Sequence, residues 1–235
     1  MSGFEPAKKK EKKGFVQSYR ESRIFEADGT LISTKQYNLT IGLTIAAGFL
    51  IDFLMAFYLA PQILSLPLIG VIIAYFVMSL GGMYVVHKSS SAFVSICGFL
   101  VMAAGMGLVL TFILNAYELS SVYLAFGITA VITVIMAVCA TLFEQFFLSL
   151  GRGLFFGLLI AIVVELVCTF LFPGMLMAMD YAVILLFCGF IGFDWARAQQ
   201  FPKTVNNAVA SAADLFVDIV NVLIRVLEIV GKSKD

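Results

Sequence analysis

Seven apolar runs of about 20–25 residues, separated by short polar breaks, account for most of the sequence. They are residues 38–60, 66–87, 92–115, 121–146, 153–172, 176–196 and 206–230. A helix of this length is long enough to cross a hydrocarbon core of about 30 Å. Hydrophobic residues make up 61% of the chain and charged residues 13%, against about 45–50% and about 25% in a soluble domain. We therefore predict an all-α, polytopic membrane protein.

Several classes of protein are excluded by composition. The formal net charge is +0, so no overall positive field attracts nucleic acid, and we expect no nucleic-acid partner. The four cysteines each stand alone in an apolar run, and His87 is the only histidine. This pattern indicates neither a disulfide framework nor a Cys/His metal site.

The distribution of basic residues predicts the orientation in the membrane. Residues 1–36 carry eight of the 15 Lys and Arg residues. Among the six predicted links, the second, fourth and sixth carry the basic residues of the loops, Lys88, Arg152, Arg197 and Lys203. The other three links contain no Lys or Arg. Since cytoplasmic loops are rich in Lys and Arg, we predict a cytoplasmic N-terminus.

These features divide the chain into three parts. Residues 1–36 form a basic cytoplasmic tail, residues 37–231 a transmembrane domain of seven helices, and residues 232–235 a short C-terminal tail. Seven crossings place Lys232 and Lys234 outside, whereas a re-entrant last helix would keep them inside. We favour seven crossings, with sequential helices antiparallel because the links are short.

Ionisable side chains at membrane depth are costly and are therefore functional candidates. Asp52 and Glu165 lie deep in their spans, and each is either a hydrogen-bonded structural acid or part of a polar cavity. Asp180 and Glu144 lie near span ends, where we expect them to be solvated.

The last span carries a regular series of polar residues. At alternating spacings of four and three come Asn207, Ser211, Asp214, Asp218, Asn221, Arg225 and Glu228. On a helix these positions form one stripe. A narrow stripe on an otherwise apolar helix predicts a helix inside the bundle, with Ala212, Val217 and Leu223 pointing away from its polar contacts. The alternative is intrahelical pairing, such as Arg225 with Glu228, that serves packing only.

Two aspartates on neighbouring spans are predicted to lie at similar depth. Asp194 is at the end of the sixth span, and Asp218 is about 15 Å into the seventh at about 1.5 Å per residue. If the sixth helix continues to Gln199, the two carboxyls lie in the same layer. Adjacent carboxyls cannot easily both ionise, so they would share a proton. Such a pair could be a proton switch, a cation site or a pair of catalytic acids.

Two segments carry a family resemblance. The sequence Gly-Phe-Asp-Trp at 192–195 and the helix at 211–227 resemble the Bax inhibitor-1 family. The family motif has an aromatic-Asp pair at the end of the sixth helix. A Leu-x-x-Asp-x-x-Asn-Leu helix follows it. Asp194, Asp218 and Asn221 occupy the matching positions.

The resemblance implies a seven-helix bundle whose last helix is central, flanked by two layers of three helices. It also implies a pH-sensitive calcium leak in which Asp194 and Asp218 form a proton-sharing pair that controls closed and open arrangements and offers oxygens to calcium. The supporting polar residues are Asp214, Asn221 and Arg225.

The chain departs from the family motif in two places. Bacterial relatives carry a latch arginine near the inner end of the second helix, where this chain has His87 and Lys88. These two residues are the candidate latch. The family helix also carries an arginine after its asparagine, and Arg225 lies nearer to Asn221 than that arginine does.

We therefore expect a pH-sensitive calcium leak channel of a bacterial cytoplasmic membrane, with the lipid bilayer, calcium and protons as partners and no cofactor other than the ion. The alternatives are a proton-coupled transporter and a non-conducting protein that modulates membrane proteases or cell-death-like pathways. An intramembrane aspartyl protease is disfavoured because Leu-Phe-Val-Asp, not Gly-x-Gly-Asp, ends at Asp218 and no Pro-Ala-Leu follows. We expect no enzymatic activity.

Overall fold

All regular structure is helical over residues 30–232, the part of the chain described by the computed structural model. The α-helices are α1 (Thr34–Tyr58), α2 (Ala60–Leu64), α3 (Leu68–Lys88), α4 (Ala92–Asn115), α5 (Leu119–Leu142), α6 (Glu144–Leu171), α7 (Leu176–Gln200) and α8 (Val205–Val230). A short 3-10 helix, Pro173–Met175, precedes α7. Most of the predicted basic tail and nearly all of the C-terminal tail lie outside the described residues.

Six of these helices are long and apolar enough to cross a membrane, namely α1 and α3 to α7. The last helix, α8, is not one of the six, and it carries four charged residues, Asp214, Asp218, Arg225 and Glu228. The prediction of an all-helical protein with apolar membrane spans is confirmed, but of the seven predicted spans six correspond to helices of this kind within residues 30–232.

Local sequence explains where α1 begins and ends. Ser33 caps its first turn, since the Ser33 hydroxyl accepts from the Gln36 backbone N–H and the Gln36 side chain accepts from the Ser33 N–H. This capping box starts the helix four residues before the predicted span. The helix ends at Tyr58, ahead of Pro61, which lies in the first turn of α2, where a missing N–H costs little.

One predicted link is misplaced. Residues 148–153 were expected to separate two spans, but α6 is helical throughout this stretch and the break falls at Phe143, whose φ of −121° and ψ of 45° are not helical. Gly151 is a packing residue here, because a Cβ at this position would lie 2.6 Å from the Phe193 ring of α7. The glycine thus permits close helix contact instead of a loop.

The last helix is the most enclosed element. It packs against α1, α3, α4, α5 and α7, and 15 of its 26 residues are buried. Phe216 lies between Phe49 of α1 and Phe99 of α4, with ring centroids 5.0 and 5.5 Å away. The expectation that Ala212 and Leu223 point away from the bundle is wrong: both are fully buried, because helices pack on several sides of α8.

The two ends of the bundle are chemically different. At one end α3 and α7 finish and α8 begins, with the Asn206 side chain donating to the Ser89 carbonyl at 3.0 Å. We call this the basic end, because it holds Lys88, Arg197 and Lys203. At the opposite, far end, the Glu118 N–H donates to the Lys232 carbonyl at 2.8 Å. Consecutive long helices therefore run antiparallel.

Candidate functional site

The main polar cluster lies where α7 and α8 meet near the basic end. Because α7 continues to Gln200, Asp194 and Arg197 are one turn apart on the same helix face. The Arg197 guanidinium Nη2 lies 2.8 Å from Asp194 Oδ1 and 2.5 Å from Asp214 Oδ2. Arg197 therefore ties α7 to α8, and its side chain is only 20% exposed.

Asp218 lies deeper in the same cluster. Asp194 is one of the groups that act on its carboxyl, and Asp218 and Asp194 are 6% and 8% exposed. Asp218 Oδ2 has no hydrogen-bond partner among the described residues. Asp214 and Arg197 are the other charged groups that act on Asp218. The cluster thus sets three carboxyls against one arginine in a largely buried place, where an uncompensated charge is costly.

The cluster is also connected to α3. His87 is in the last turn of that helix, and its Nε2 lies 2.9 Å from Asp214 Oδ1. Asp214 is therefore bound by Arg197 on one oxygen and by His87 on the other. The neighbouring candidate, Lys88, is half-buried at the last position of α3. His87, one of the two candidate latch residues, is therefore in direct contact with an aspartate of the cluster.

A buried tyrosine supports the cluster from α1. The Tyr37 hydroxyl donates to the Ala198 carbonyl at 3.1 Å and lies 3.1 Å from Ser211 Oγ of the stripe. The Lys203 ammonium stands 4.5 Å from the centre of the Tyr37 ring and donates to the Gln199 carbonyl at 2.8 Å. Burial lowers the pKa of Lys203. These contacts fix the α7–α8 link against α1.

A second cluster lies at the far end. Arg225 of α8 makes three ion pairs, at 2.6 Å with Glu165 of α6, 3.0 Å with Asp180 of α7 and 3.0 Å with Glu228 of its own helix. The expectation of a solvated Asp180 is wrong, because this residue is 8% exposed and paired. Burial, followed by the charges of Glu228 and Asp180, raises the pKa of the nearby Tyr117 hydroxyl.

Between the two clusters the stripe has one polar residue, Asn221. Asn221 donates its side-chain N–H to the Val217 carbonyl of its own helix at 2.8 Å. Around it, the buried residues of α8 are apolar: Ile219, Val220, Val222 and Leu223. The polar residues of α8 therefore form two separate groups, one toward each end of the bundle.

Asp52 stands apart from both groups. It is 1% exposed on α1, and neither carboxyl oxygen has a hydrogen-bond partner in the described part of the chain. Of the two predicted roles, a hydrogen-bonded structural acid is therefore wrong. Within residues 30–232, no three His, Cys, Asp or Glu side chains come together in a way that could hold a metal ion.

Sequence reasoning missed Arg197 as part of the cluster, since it was placed in a cytoplasmic link. The available signal was its position three residues after Asp194, which is one helical turn if α7 extends beyond the apolar run. Asp180 was seen but assigned to solvent, because its partner Arg225 lies on a different helix.

The apolar helices and the polar groups enclosed between them define a multi-pass integral membrane protein of helical-bundle type. The chain belongs to the Bax inhibitor-1 family: residues 31–235 match the family described as inhibitor of apoptosis-promoting Bax1.

The relatives of the chain are bacterial. An uncharacterised membrane protein of Streptococcus pyogenes serotype M3 is 26% identical over 215 residues, which cover 85% of this chain and 91% of the relative. An uncharacterised protein of Helicobacter pylori strain J99 is 26% identical over 149 residues, 63% of this chain and 58% of the relative. No solved structure matches the chain.

Proposed function

We propose that this protein is a pH-sensitive calcium leak channel of a bacterial cytoplasmic membrane. In this proposal α8 is a seventh crossing at the centre of the bundle, and the basic end faces the cytoplasm. Membership of the family, bacterial membrane-protein relatives and the packing of α8 against five other helices support it. The aspartates bind protons and calcium and catalyse no reaction.

The observation that carries the proposal is that Asp194 and Asp218 are both buried in one cluster and act on each other electrostatically. Arg197 compensates Asp194 and Asp214 directly, so a shared proton is the remaining way to neutralise the aspartate pair. Loss of that proton as the pH rises leaves two adjacent negative charges that repel. Their separation is the proposed opening step. The freed carboxylate oxygens can then act as ligands for calcium, which binds about six to eight oxygen atoms in proteins.

The arrangement described here corresponds to a closed state. Apolar residues of α8 separate the cluster around Asp218 from the cluster around Arg225. A hydrated ion that reaches one polar cluster would have to cross this apolar layer to reach the other. Opening must therefore move α8 against its neighbours, and Arg197 and His87 hold it in place through Asp214.

The test is calcium flux into liposomes that contain the purified full chain, measured from about pH 6 to about pH 8. One controlling proton predicts a flux that rises by at most about tenfold per pH unit. Asp194→Asn and Asp218→Asn should each flatten this profile, because an amide carries no titrating proton. Glu118→Gln, at an exposed acid of the far end, is the matched control and should keep the profile.

Three results would contradict the proposal. If calcium flux equals that of protein-free liposomes at every pH, the protein does not conduct calcium. If both aspartate variants keep the wild-type profile, the pair is not the pH switch. If calcium moves only when an opposing proton gradient is applied, the protein is a proton-coupled transporter instead of a leak.

A further inference from the structure

Asp52 is the most isolated ionisable group in the described bundle. It lies on α1 at the contact with α4, is 1% exposed, and both of its carboxyl oxygens lack a hydrogen-bond partner there. The carboxyl rests directly against Gly107 of α4, where a Cβ would stand 2.8 Å from Asp52 Oδ1. The glycine makes room for the carboxyl but offers it no hydrogen bond.

No charged group on the surrounding helices acts on Asp52. Helix α4 contains no Asp, Glu, Lys, Arg or His, and its titratable residue, Cys97, lies almost three turns before Gly107. Helix α2 has no titratable residue, and α5 has Tyr123 and Cys139 but no charge. The charged residues of α8 belong to the two clusters described above. The remaining titratable groups of α1 are Lys35, Tyr37 and Tyr58.

The isolation and burial of Asp52 together determine whether its carboxyl is protonated. An ionised carboxylate without a counter-charge or hydrogen bonds is prohibitively costly in an apolar interior. Asp52 must therefore carry its proton in this arrangement. An acid that is neutral when its helices are closed, and charged only when water reaches it, can take up and release a proton as the helices move.

A small cavity lies between Asp52 and the far end. It measures about 30 Å³ and is lined by residues that include Ala56, Asn115 and Tyr117, which is room for about one water molecule. Ala56 follows Asp52 by one helical turn, and the Asn115 amide donates to the Ala56 carbonyl at 3.1 Å. Gly107 and Asn115 lie two turns apart on one face of α4. The cavity therefore stands one turn from Asp52 along the α1–α4 contact.

We propose that Asp52 is a second proton-binding site, loaded from the far end through the cavity beside Asn115, and that its ionised form requires water between α1 and α4. This site is separate from Asp194 and Asp218, which lie toward the basic end. It does not depend on calcium conduction, so it can hold whether or not the protein is a leak channel.

The first test is chemical modification of the full chain in detergent micelles with dicyclohexylcarbodiimide, a membrane-soluble reagent that attacks protonated carboxyls. Peptide mapping by mass spectrometry should find the adduct on Asp52 at neutral pH and none at this position in Asp52→Asn. If Asp52 stays unmodified while other intramembrane carboxyls react, it does not carry the proton, and the proposal is wrong. This readout on the unmutated chain holds even if the variant folds poorly.

The second test is infrared difference spectroscopy, which follows the C=O band of a protonated carboxylic acid. The wild type should show a band at neutral pH that Asp52→Asn removes, and its absence would overturn the proposal. Leu119→Trp at the cavity rim should slow hydrogen–deuterium exchange of this band severalfold. Leu124→Trp, at a similarly exposed leucine of α5 outside the cavity lining, is the matched control. Equal exchange rates in both variants would exclude the proposed route.

Discussion

Replacing Arg197 with glutamine tests how the cluster at the basic end is held together. The change leaves a shorter, polar side chain and removes the cation that contacts Asp194 at 2.8 Å and Asp214 at 2.5 Å. Because the arginine side chain is 20% exposed, its loss leaves carboxylates without their counter-charge in a largely buried place. Breaking such a pair on one side costs about 3–5 kcal/mol.

The stability loss of Arg197→Gln should depend on pH. At about pH 8 the carboxylates are charged and repel one another once the guanidinium is gone, whereas at about pH 5 protonation relieves part of this repulsion. For a chain of this size, about 3–5 kcal/mol corresponds to a fall in Tm of roughly 6–20 °C at the higher pH. The fall should be clearly smaller at the lower pH.

Thermal unfolding of the detergent-solubilised protein, followed by circular dichroism at both pH values, measures this difference. Arg152→Gln is the matched control, because Arg152 is an exposed basic residue of α6 for which the described part of the chain shows no ion pair. If Arg197→Gln unfolds at the wild-type temperature at high pH, Arg197 does not stabilise the buried carboxylates. If the fall in Tm is the same at both pH values, the loss of stability does not come from carboxylate repulsion.

Three further predictions address orientation, packing and the far end. A cysteine at Ser90 should react with impermeant thiol reagents only from the cytoplasmic side and one at Glu118 only from outside, in a background without the native cysteines; the reverse pattern would overturn the orientation. Gly82→Ala should destabilise the protein by about 1–3 kcal/mol, because a Cβ there would lie 2.5 Å from a carbonyl oxygen of α4. Gly81→Ala is the control and should not be destabilising, because there is open space around Gly81. Equal denaturation midpoints for the Gly81→Ala and Gly82→Ala variants would contradict the close packing at Gly82. Arg225→Gln should cost about 1–3 kcal/mol and loosen α6 at the far end, measured as faster amide hydrogen exchange there, and unchanged exchange would argue against the ion pairs.

The all-helical class of the fold follows from the sequence because apolar runs of membrane length have few other structures available to them. The break between α5 and α6 does not follow, since it is a single non-helical residue, Phe143, inside apolar sequence. The predicted link at 148–153 contains Gly151, which the structure uses for contact with Phe193. Which of these roles a glycine has depends on a partner helix that the local sequence does not reveal.

The sequence shows the stripe on α8 as a spacing pattern, and it also shows the acids on the neighbouring spans. It does not show the division of the stripe into two clusters, because the partners come from other helices: Arg197 from α7 and Glu165 from α6. The isolation of Asp52 was equally hidden. It results from the absence of a side chain at Gly107, and only the packing of α1 on α4 places that glycine against the acid.

Contacts of Phe216 connect the environment of Asp52 with the helix that carries Asp218. The Phe216 ring is fully buried between Phe49 of α1 and Phe99 of α4, the two helices that also enclose Asp52. A packed ring of this size cannot move until its neighbours separate, because protein interiors hold few voids. Entry of water between α1 and α4 would loosen the contacts of Phe216 with both helices. Any separation of Asp218 from Asp194 must be accompanied by a movement of α8. This movement would in turn press on α1 and α4. Proton release at either site would therefore disturb the packing of Phe216 between α1 and α4.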